Sequence, residues 1–322
     1  MDGNRSHLDT QRAIQRLVGP PITLPDDVIV HAEWSFMRKM VNYKCTEVQV
    51  NSQCHKTHVV SAERCICDWI KDKYELPCPS ILMLENGENF GVMDPSPSIY
   101  YPKQKNYEGC ETWKLDAQRF AQWLDHPNVI RVFYRQTPPV EHSKIEIVPL
   151  GVTQAFMAAW KASKRIPTPL RTRIYYVNHS PWRHRESIFN TVNKHWNQSL
   201  KNEFCSKTYG CHRGRMSDVK YLQRLRSSFF VESPPGMGED CYRHYEVMLA
   251  GAIPVVQKSL SYAVFGDLPH LPITDWNTVT PTLLENFAAT FDRGHVSFNR
   301  LRKRFWVNRV KALAQSKGVP QN

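Results

Sequence analysis

The chain contains 322 residues, and at about 150 residues per domain this length indicates two domains rather than one compact core. Its hydrophobic fraction of 41% is ordinary for a globular protein, and no apolar run approaches the ~18 residues of a membrane helix, so we expect no membrane span. The net charge of +12 favours anionic partners, such as nucleic acid, acidic polysaccharide or a phosphorylated small molecule.

The first half of the chain alternates apolar runs with amphipathic stretches, which is typical of an α/β domain. Its first twenty residues are polar and predict no signal peptide, unless the chain is cut from a longer one. Buried strands are predicted at 28–34, 80–85, 129–134 and 145–151, and a helix is predicted at 115–125. The helix places three large apolar side chains on one face, those of Phe120, Trp123 and Leu124.

The second half restarts the same alternation after a polar, proline-bearing segment at 161–173, which we interpret as a linker. Strands are predicted at 174–178, 228–233 and 253–257, and the predicted helices include one from about residue 186, one at 219–225 and one at 240–250. Two successive α/β halves imply a cleft, because such sheets bind ligands beyond the carboxyl ends of their strands.

The nine cysteines contain no C-x-x-C pair, which disfavours a zinc ribbon. Six of them lie between residues 45 and 110, where they would suit disulfides in an oxidising compartment. Asn4, Asn178 and Asn197 begin formal glycosylation sequons, but such short patterns arise often by chance, and the compartment stays open.

The segment at 233–256 carries the strongest functional pattern. A proline pair ends its strand, and Gly236 and Gly238 allow the backbone to turn tightly and to approach a ligand closely. A helix starting near Asp240 would direct its free N–H groups and the positive end of its dipole at this turn. Arg243, in the first helical turn, could bind phosphate oxygens with two parallel hydrogen bonds.

Glu246 lies three residues after Arg243, on the same helix face. One carboxylate can accept hydrogen bonds from two vicinal hydroxyls, so Glu246 suits the ribose of a nucleotide, whereas Tyr242, Tyr245 and Leu249 are expected to pack in the core. A plain glycine-rich turn with Glu246 on the surface is the alternative, and the combined spacing of these residues favours the binding site.

This segment resembles the nucleotide-sugar-binding signature of the exostosin-like glycosyltransferases. The likeness continues through LPHLPITDWNTVT at 268–280 and FWVNRVKAL at 305–313, which is similar to the family's closing tryptophan-bearing helix. IYYVNHSPWRHRESIF at 174–189 is similar to the opening of the family's donor domain, and HPNVIRVFYRQ and HSKIEIVPLGV resemble the end of its acceptor domain. The resemblance covers about 125–315 and is faint before that.

The resemblance implies a GT-B fold of the α/β class, with two Rossmann-like domains facing a cleft and a C-terminal helix that returns to the first domain. The corresponding boundaries are an N-terminal tail at 1–24, an acceptor-side domain at 25–160, a nucleotide-sugar donor domain at 161–300 and the C-terminal helix at 301–322.

The donor site implied by the family leaves one choice open, because either arginine of Arg183-His184-Arg185 could bind phosphate. The chain has no D-x-D pair, so we expect arginines and a helix dipole, and no metal, to stabilise the leaving diphosphate. No cofactor is expected beyond the nucleotide-sugar co-substrate. The predicted donor-binding residues are Asn178, Arg183, Arg185, Ser233, Gly236, Gly238, Asp240, Arg243 and Glu246.

An inverting transferase needs a general base for the acceptor hydroxyl, and we expect it from the first domain, across the cleft from the diphosphate. Residues that end or follow predicted strands are the candidates: His31, Glu33, Glu85 or Glu88. We favour Glu33, since the neighbouring Trp34 would raise its pKa toward a useful value.

The leading hypothesis is a glycosyltransferase that moves a sugar from a nucleotide-sugar, a UDP-sugar, to a glycan or glycoprotein acceptor. A catalytically inactive GT-B subunit that binds glycan or a partner is one alternative, and the intact Arg243 and Glu246 argue against it. A basic nucleic-acid-binding protein is the other, and the chain has no recognition module for that role. If the chain is a piece of a longer one, the family expectation is the Golgi lumen.

Overall fold

The computed structural model describes residues 24–30, 37, 39–44, 54, 57–62, 65–84, 117–135, 138–180, 184–203, 216–236 and 238–316. These residues form two parallel β-sheets with helices packed against them. In this part of the chain, no helix combines the length and the apolar character that crossing a membrane requires.

The first sheet has five parallel strands in the order β1-β2-β3-β4-β5. Their bounds are Tyr43–Lys44, His58–Ser61, Ser80–Leu84, Val129–Arg135 and Ile145–Val148. Helices α1 (Ile66–Lys71) and α2 (Ala117–Leu124) cover the face that carries Leu82 and Leu84, while Ile81 belongs to the core on the opposite face. The strand at 80–85 and the buried face of the helix at 115–125 are therefore confirmed.

The predicted linker at 161–173 is wrong in its first part. Helix α3 (Gln154–Ala162) continues into a 3-10 turn at Ser163–Arg165, and irregular backbone follows only at 166–172. Ile166 is extended, with φ −100° and ψ 126°, because the proline that follows it disfavours helical backbone. The helical segment therefore continues to residue 165, and the irregular connection to the second sheet spans only 166–172.

The second sheet has four parallel strands in the order β6-β7-β8-β9, with bounds Arg173–Tyr176, Ser228–Glu232, Ile253–Gln257 and Leu271–Ile273. Its helices are α4 (His184–His195), α5 (Asp218–Arg226), α6 (Tyr242–Leu249) and α7 (Pro281–Thr290). All five residues of β7 are buried, as expected for a parallel strand covered on both faces. The predicted α/β class with two Rossmann-like halves is confirmed.

The C-terminal helix α8 (Lys303–Ser316) returns to the first sheet, as expected. Trp306 is fully buried, and its ring meets that of Phe133 edge-on at a centroid distance of 6.1 Å. Its Nε1 donates a hydrogen bond to the Arg300 carbonyl over 2.8 Å. At the surface, Arg309 Nη2 lies 2.7 Å from Glu146 Oε1.

The predicted strand at 28–34 does not join either ladder in the residues described. Val28 and Val30 are buried but make isolated bridges, to Arg302 and to Val152. Between them Ile29 crosses Gly151 so closely that a Cβ on Gly151 would lie 2.1 Å from the Ile29 carbonyl oxygen. Gly151 also has a φ of +74°, which only glycine adopts without strain, so this crossing depends on glycine.

One apolar cluster of the described residues combines side chains from both halves. It contains Leu150, Val152 and Phe156 from the end of the first half together with Tyr245 and Met248 of α6. The second half is therefore anchored through α6 and the chain at 150–156.

The four first-half cysteines that the structure describes are paired, as an oxidising compartment would allow. A disulfide joins Cys54 to Cys78, and Cys65 and Cys67 are also disulfide-bonded. Among the cysteines described, Cys241 alone is free, and it is buried.

Candidate ligand-binding site

The carboxyl ends of β6 and β7 and the start of α6 bring most of the predicted donor-binding residues to one edge of the second sheet. The residues at this edge are Asn178, Arg185, Ser233, Gly236, Gly238, Asp240, Arg243 and Glu246. Arg183 lies outside the described residues, and so do the candidate bases His31, Glu33, Glu85 and Glu88. These assignments stay predictions.

Helix α6 begins two residues later than expected. Cys241 has extended backbone, with φ −141° and ψ 133°, so Asp240 precedes the helix instead of starting it. The side chain of Cys241 makes no capping hydrogen bond to the first turn. Tyr242 occupies the first helical position and is 39% exposed, so the expectation that it packs in the core is wrong.

Arg185 is held against the glycine-rich turn. Its Nε donates a hydrogen bond to the Pro235 carbonyl over 2.8 Å, and the residue is 8% exposed. A Cβ on Gly236 would lie 3.2 Å from Arg185 Nη2, which explains why a glycine suits this position. Burial, with the nearby charge of Arg243, lowers the pKa of Arg185. Two guanidinium groups therefore share one buried region.

Arg243 is the less satisfied of the two arginines. The residue is 9% exposed, and its Nε and Nη1 are buried without a hydrogen-bond partner among the described residues. Buried polar groups are normally hydrogen-bonded, and a buried cation needs a counter-charge. Two buried nitrogens of Arg243 therefore lack a hydrogen bond among the described residues, and its role as a phosphate ligand stays a prediction.

The Glu246 carboxylate already accepts hydrogen bonds from other residues of the protein. Its Oε1 accepts hydrogen bonds from Thr153 N at 3.2 Å and from Thr153 Oγ1 at 2.6 Å, and its Oε2 accepts one from Tyr221 OH at 3.2 Å. Burial raises the pKa of Glu246, and the Thr153 donors oppose that rise. A carboxylate has about four acceptor positions, so little capacity remains for the predicted ribose contact, which stays a prediction.

Asp240 connects the turn to the first half of the chain. Its Oδ2 accepts a hydrogen bond from Leu150 N at 2.9 Å, and its Oδ1 accepts one from Tyr245 OH at 2.6 Å. Burial raises the pKa of Asp240 to about 6. Asp240 and Glu246 therefore both accept hydrogen bonds from donors within the protein.

Ser233 and His244 form a neutral pair beneath the turn. Ser233 Oγ lies 2.7 Å from His244 Nδ1, and His244 Nε2 lies 3.2 Å from the Glu239 carbonyl oxygen. Burial lowers the pKa of His244 to about 3, so the ring is neutral at physiological pH. The neutral ring then donates a hydrogen bond from Nε2 to the Glu239 carbonyl. Its Nδ1 accepts a hydrogen bond from the Ser233 hydroxyl, which holds that hydroxyl in one orientation.

A buried group behind this edge was not predicted. His179 Nε2 lies 2.5 Å from Glu232 Oε1, and Tyr175 OH donates to Glu232 Oε2 over 3.0 Å, with both His179 and Glu232 fully buried. One sequence feature could have indicated it: a carboxylate follows directly after the apolar run at 229–231, in a strand predicted to be buried. Among the described residues, no cluster of three or more His, Cys, Asp or Glu side chains could hold a metal ion.

The chain matches no protein-family model, and the comparison with curated proteins finds no similar sequence. Among solved structures it resembles a UDP-forming α,α-trehalose-phosphate synthase from Burkholderia vietnamiensis, with 10% identity, 80% of this chain and 72% of that chain covered, and a TM-score of 0.38. It also resembles a sucrose-phosphate synthase from Thermosynechococcus elongatus, with 12% identity, 80% of this chain and 69% of that chain covered, and a TM-score of 0.34. For the GtfA/B complex the identity is 10%, the match covers 82% of this chain and 58% of that chain, and the TM-score is 0.38. Likenesses at these TM-scores carry no argument about function, so the exostosin-like assignment stays a prediction.

Proposed function

We propose that this protein is an exostosin-like glycosyltransferase that transfers a sugar from a UDP-sugar donor to a glycan or glycoprotein acceptor. The observation that carries the proposal is the buried guanidinium group of Arg243, which has no partner at Nε and Nη1 within the described residues. It lies at the start of a helix behind a glycine-rich turn, where backbone N–H groups also favour an anion.

In the proposed reaction, the acceptor hydroxyl attacks the anomeric carbon of the sugar while the bond from that carbon to the diphosphate oxygen breaks. UDP leaves with the electron pair of that bond, and a general base takes the hydroxyl proton. Arg243 and Arg185 would stabilise the charge that develops on the diphosphate, without a metal ion. Attack from the face opposite the diphosphate inverts the anomeric centre, so the base is proposed to come from the first half, with Glu33 ahead of His31 and Glu85.

The experiment is a screen of nucleotide-sugars that measures released nucleoside diphosphate, with and without EDTA. We expect release from a UDP-sugar that persists in EDTA, and at least ~100-fold slower release by Arg243→Met, which keeps the side-chain length and removes the charge. Arg309→Met removes an exposed arginine of α8 and serves as the matched control.

The two alternatives give different results in the same screen and in a thermal melt. Stabilisation by UDP without release from any donor would identify an inactive binding subunit, and stabilisation by single-stranded RNA alone would identify a nucleic-acid-binding protein. Loss of all turnover in EDTA, restored by Mn²⁺ or Mg²⁺, would contradict the metal-independent mechanism.

A further inference from the structure

Arg243 and Glu246 carry opposite charges three residues apart on α6, and each favours the charged form of the other, yet no hydrogen bond joins them. Side chains at this spacing are neighbours on a helix surface, and an acidic and a basic residue placed so normally attract each other. In the structure, Arg243 has buried nitrogens without a partner among the described residues, and Glu246 accepts its hydrogen bonds from elsewhere.

Two residues from outside α6 hold the Glu246 carboxylate with three hydrogen bonds. Thr153 contributes both its backbone N–H and its hydroxyl, at 3.2 Å and 2.6 Å, and Tyr221 of α5 contributes its phenol at 3.2 Å. The Thr153 hydroxyl is itself held in place, because it also accepts a hydrogen bond from Phe156 N as the N-cap of α3. Both carboxylate oxygens are thereby kept on donors other than the arginine.

We propose that Thr153 and Tyr221 are positioning residues that keep the Glu246 carboxylate away from Arg243 and so leave the guanidinium group free for an anionic ligand. The identity of that ligand as the diphosphate of a nucleotide-sugar rests on the proposed function. Without the Tyr221 phenol, Oε2 of Glu246 loses its donor, and without the Thr153 hydroxyl, Oε1 keeps only the longer bond from Thr153 N. Arg243 is the nearest cation on the same helix. The resulting internal ion pair competes with the ligand.

The experiment measures the Kd of inorganic pyrophosphate by titration calorimetry, because this probe reaches the anion site without a base or a ribose. Tyr221→Phe and Thr153→Val each remove one hydroxyl donor, and we expect each to weaken pyrophosphate binding by about tenfold. Thr153→Ser keeps the hydroxyl and should bind as the unaltered protein does.

The matched controls remove the same groups where Glu246 is not involved. Tyr74→Phe removes a phenol in the first half, and Thr280→Val removes the hydroxyl that caps α7. Both should leave the Kd of pyrophosphate within about twofold, so a general loss of stability from a missing cap is separated from the effect on Arg243.

The decisive readout is non-additivity. Glu246→Gln removes the charge that would pair with Arg243, so the double variant Glu246→Gln/Tyr221→Phe should have the same pyrophosphate Kd as Glu246→Gln alone. An unchanged Kd in Tyr221→Phe, the same tenfold loss in the Gln background, or no pyrophosphate binding by the unaltered protein would each overturn the proposal. If these results hold while no nucleotide-sugar is turned over, the proposed function fails and the positioning role stands.

Discussion

Helices α6 and α8 both connect the second half of the chain to the first, but they do so with different chemistry. Helix α6 contacts the end of the first half through the apolar side chains of Tyr245 and Met248, and in addition through two buried carboxylates, Asp240 just before the helix and Glu246 within it. Helix α8 contacts the first sheet through the buried ring of Trp306 and a surface ion pair at Arg309. The polar connection passes beside the candidate site, so it can govern ligand binding, whereas the apolar connection contributes mainly stability.

The segment at 150–153, which α6 contacts, should be the least tolerant of substitution. Gly151→Ala is the most severe test of this expectation. Gly151→Ala places a Cβ 2.1 Å from the Ile29 carbonyl oxygen at a φ of +74°, so backbone must move. We expect the free energy of unfolding to fall by more than about 4 kcal/mol, measured by denaturant titration. Gly294→Ala, where the nearest atom is a flexible Asp292 side chain at 3.2 Å, is the control. Equal losses in the two variants would contradict this role.

Trp306 tests the apolar connection. Trp306→Ala should lower the free energy of unfolding by about 3–5 kcal/mol, because it leaves a cavity between α8 and the first sheet. The pyrophosphate Kd of the folded variant should not change, since the lost contacts lie away from Arg243. If the fully folded Trp306→Ala variant bound pyrophosphate much more weakly, α8 would also control the site.

Asp240 tests the polar connection by its pH dependence. Its pKa of about 6, raised from 3.8 mainly by burial, means that the folded state binds the proton more tightly than the unfolded state. The stability from this group is therefore fully present below about pH 4 and is lost as the pH rises through about 6, by up to about 3 kcal/mol.

The measurement compares unfolding free energies of the unaltered protein and Asp240→Asn between pH 4 and 7. Asparagine does not titrate, so the difference between the two proteins should shift across that window, with the unaltered protein losing stability relative to the variant. A difference that does not vary with pH would show that Asp240 titrates normally.

Sequence patterns predicted the local structure of this chain better than its site chemistry. The strands at 80–84 and 253–257 and the buried face with Phe120 follow from apolar periodicity, which nearby residues determine. The hydrogen bond between Glu246 and Thr153 joins residues 93 positions apart, and no local sequence pattern predicts a partner at that separation. Tyr242 was assigned to the core with Tyr245 and Leu249 because these residues share the helix face opposite Arg243 and Glu246. It is instead the exposed first residue of α6, which starts two residues later than predicted, and helix ends are the least determined part of such predictions.

The smallest expected effect belongs to the surface ion pair of α8. Arg309 and Glu146 are joined at 2.7 Å, but their side chains are 42% and 20% exposed, so water and salt screen the attraction. Arg309→Ala should therefore lower the free energy of unfolding by only about 0.5 kcal/mol, and by less in 1 M NaCl. Arg131 also lies 3.2 Å from Glu146, so the carboxylate keeps a cationic neighbour when Arg309 is removed. A salt-independent loss of several kcal/mol would mean that α8 is held by charge as much as by Trp306, and the contrast with α6 would then fail.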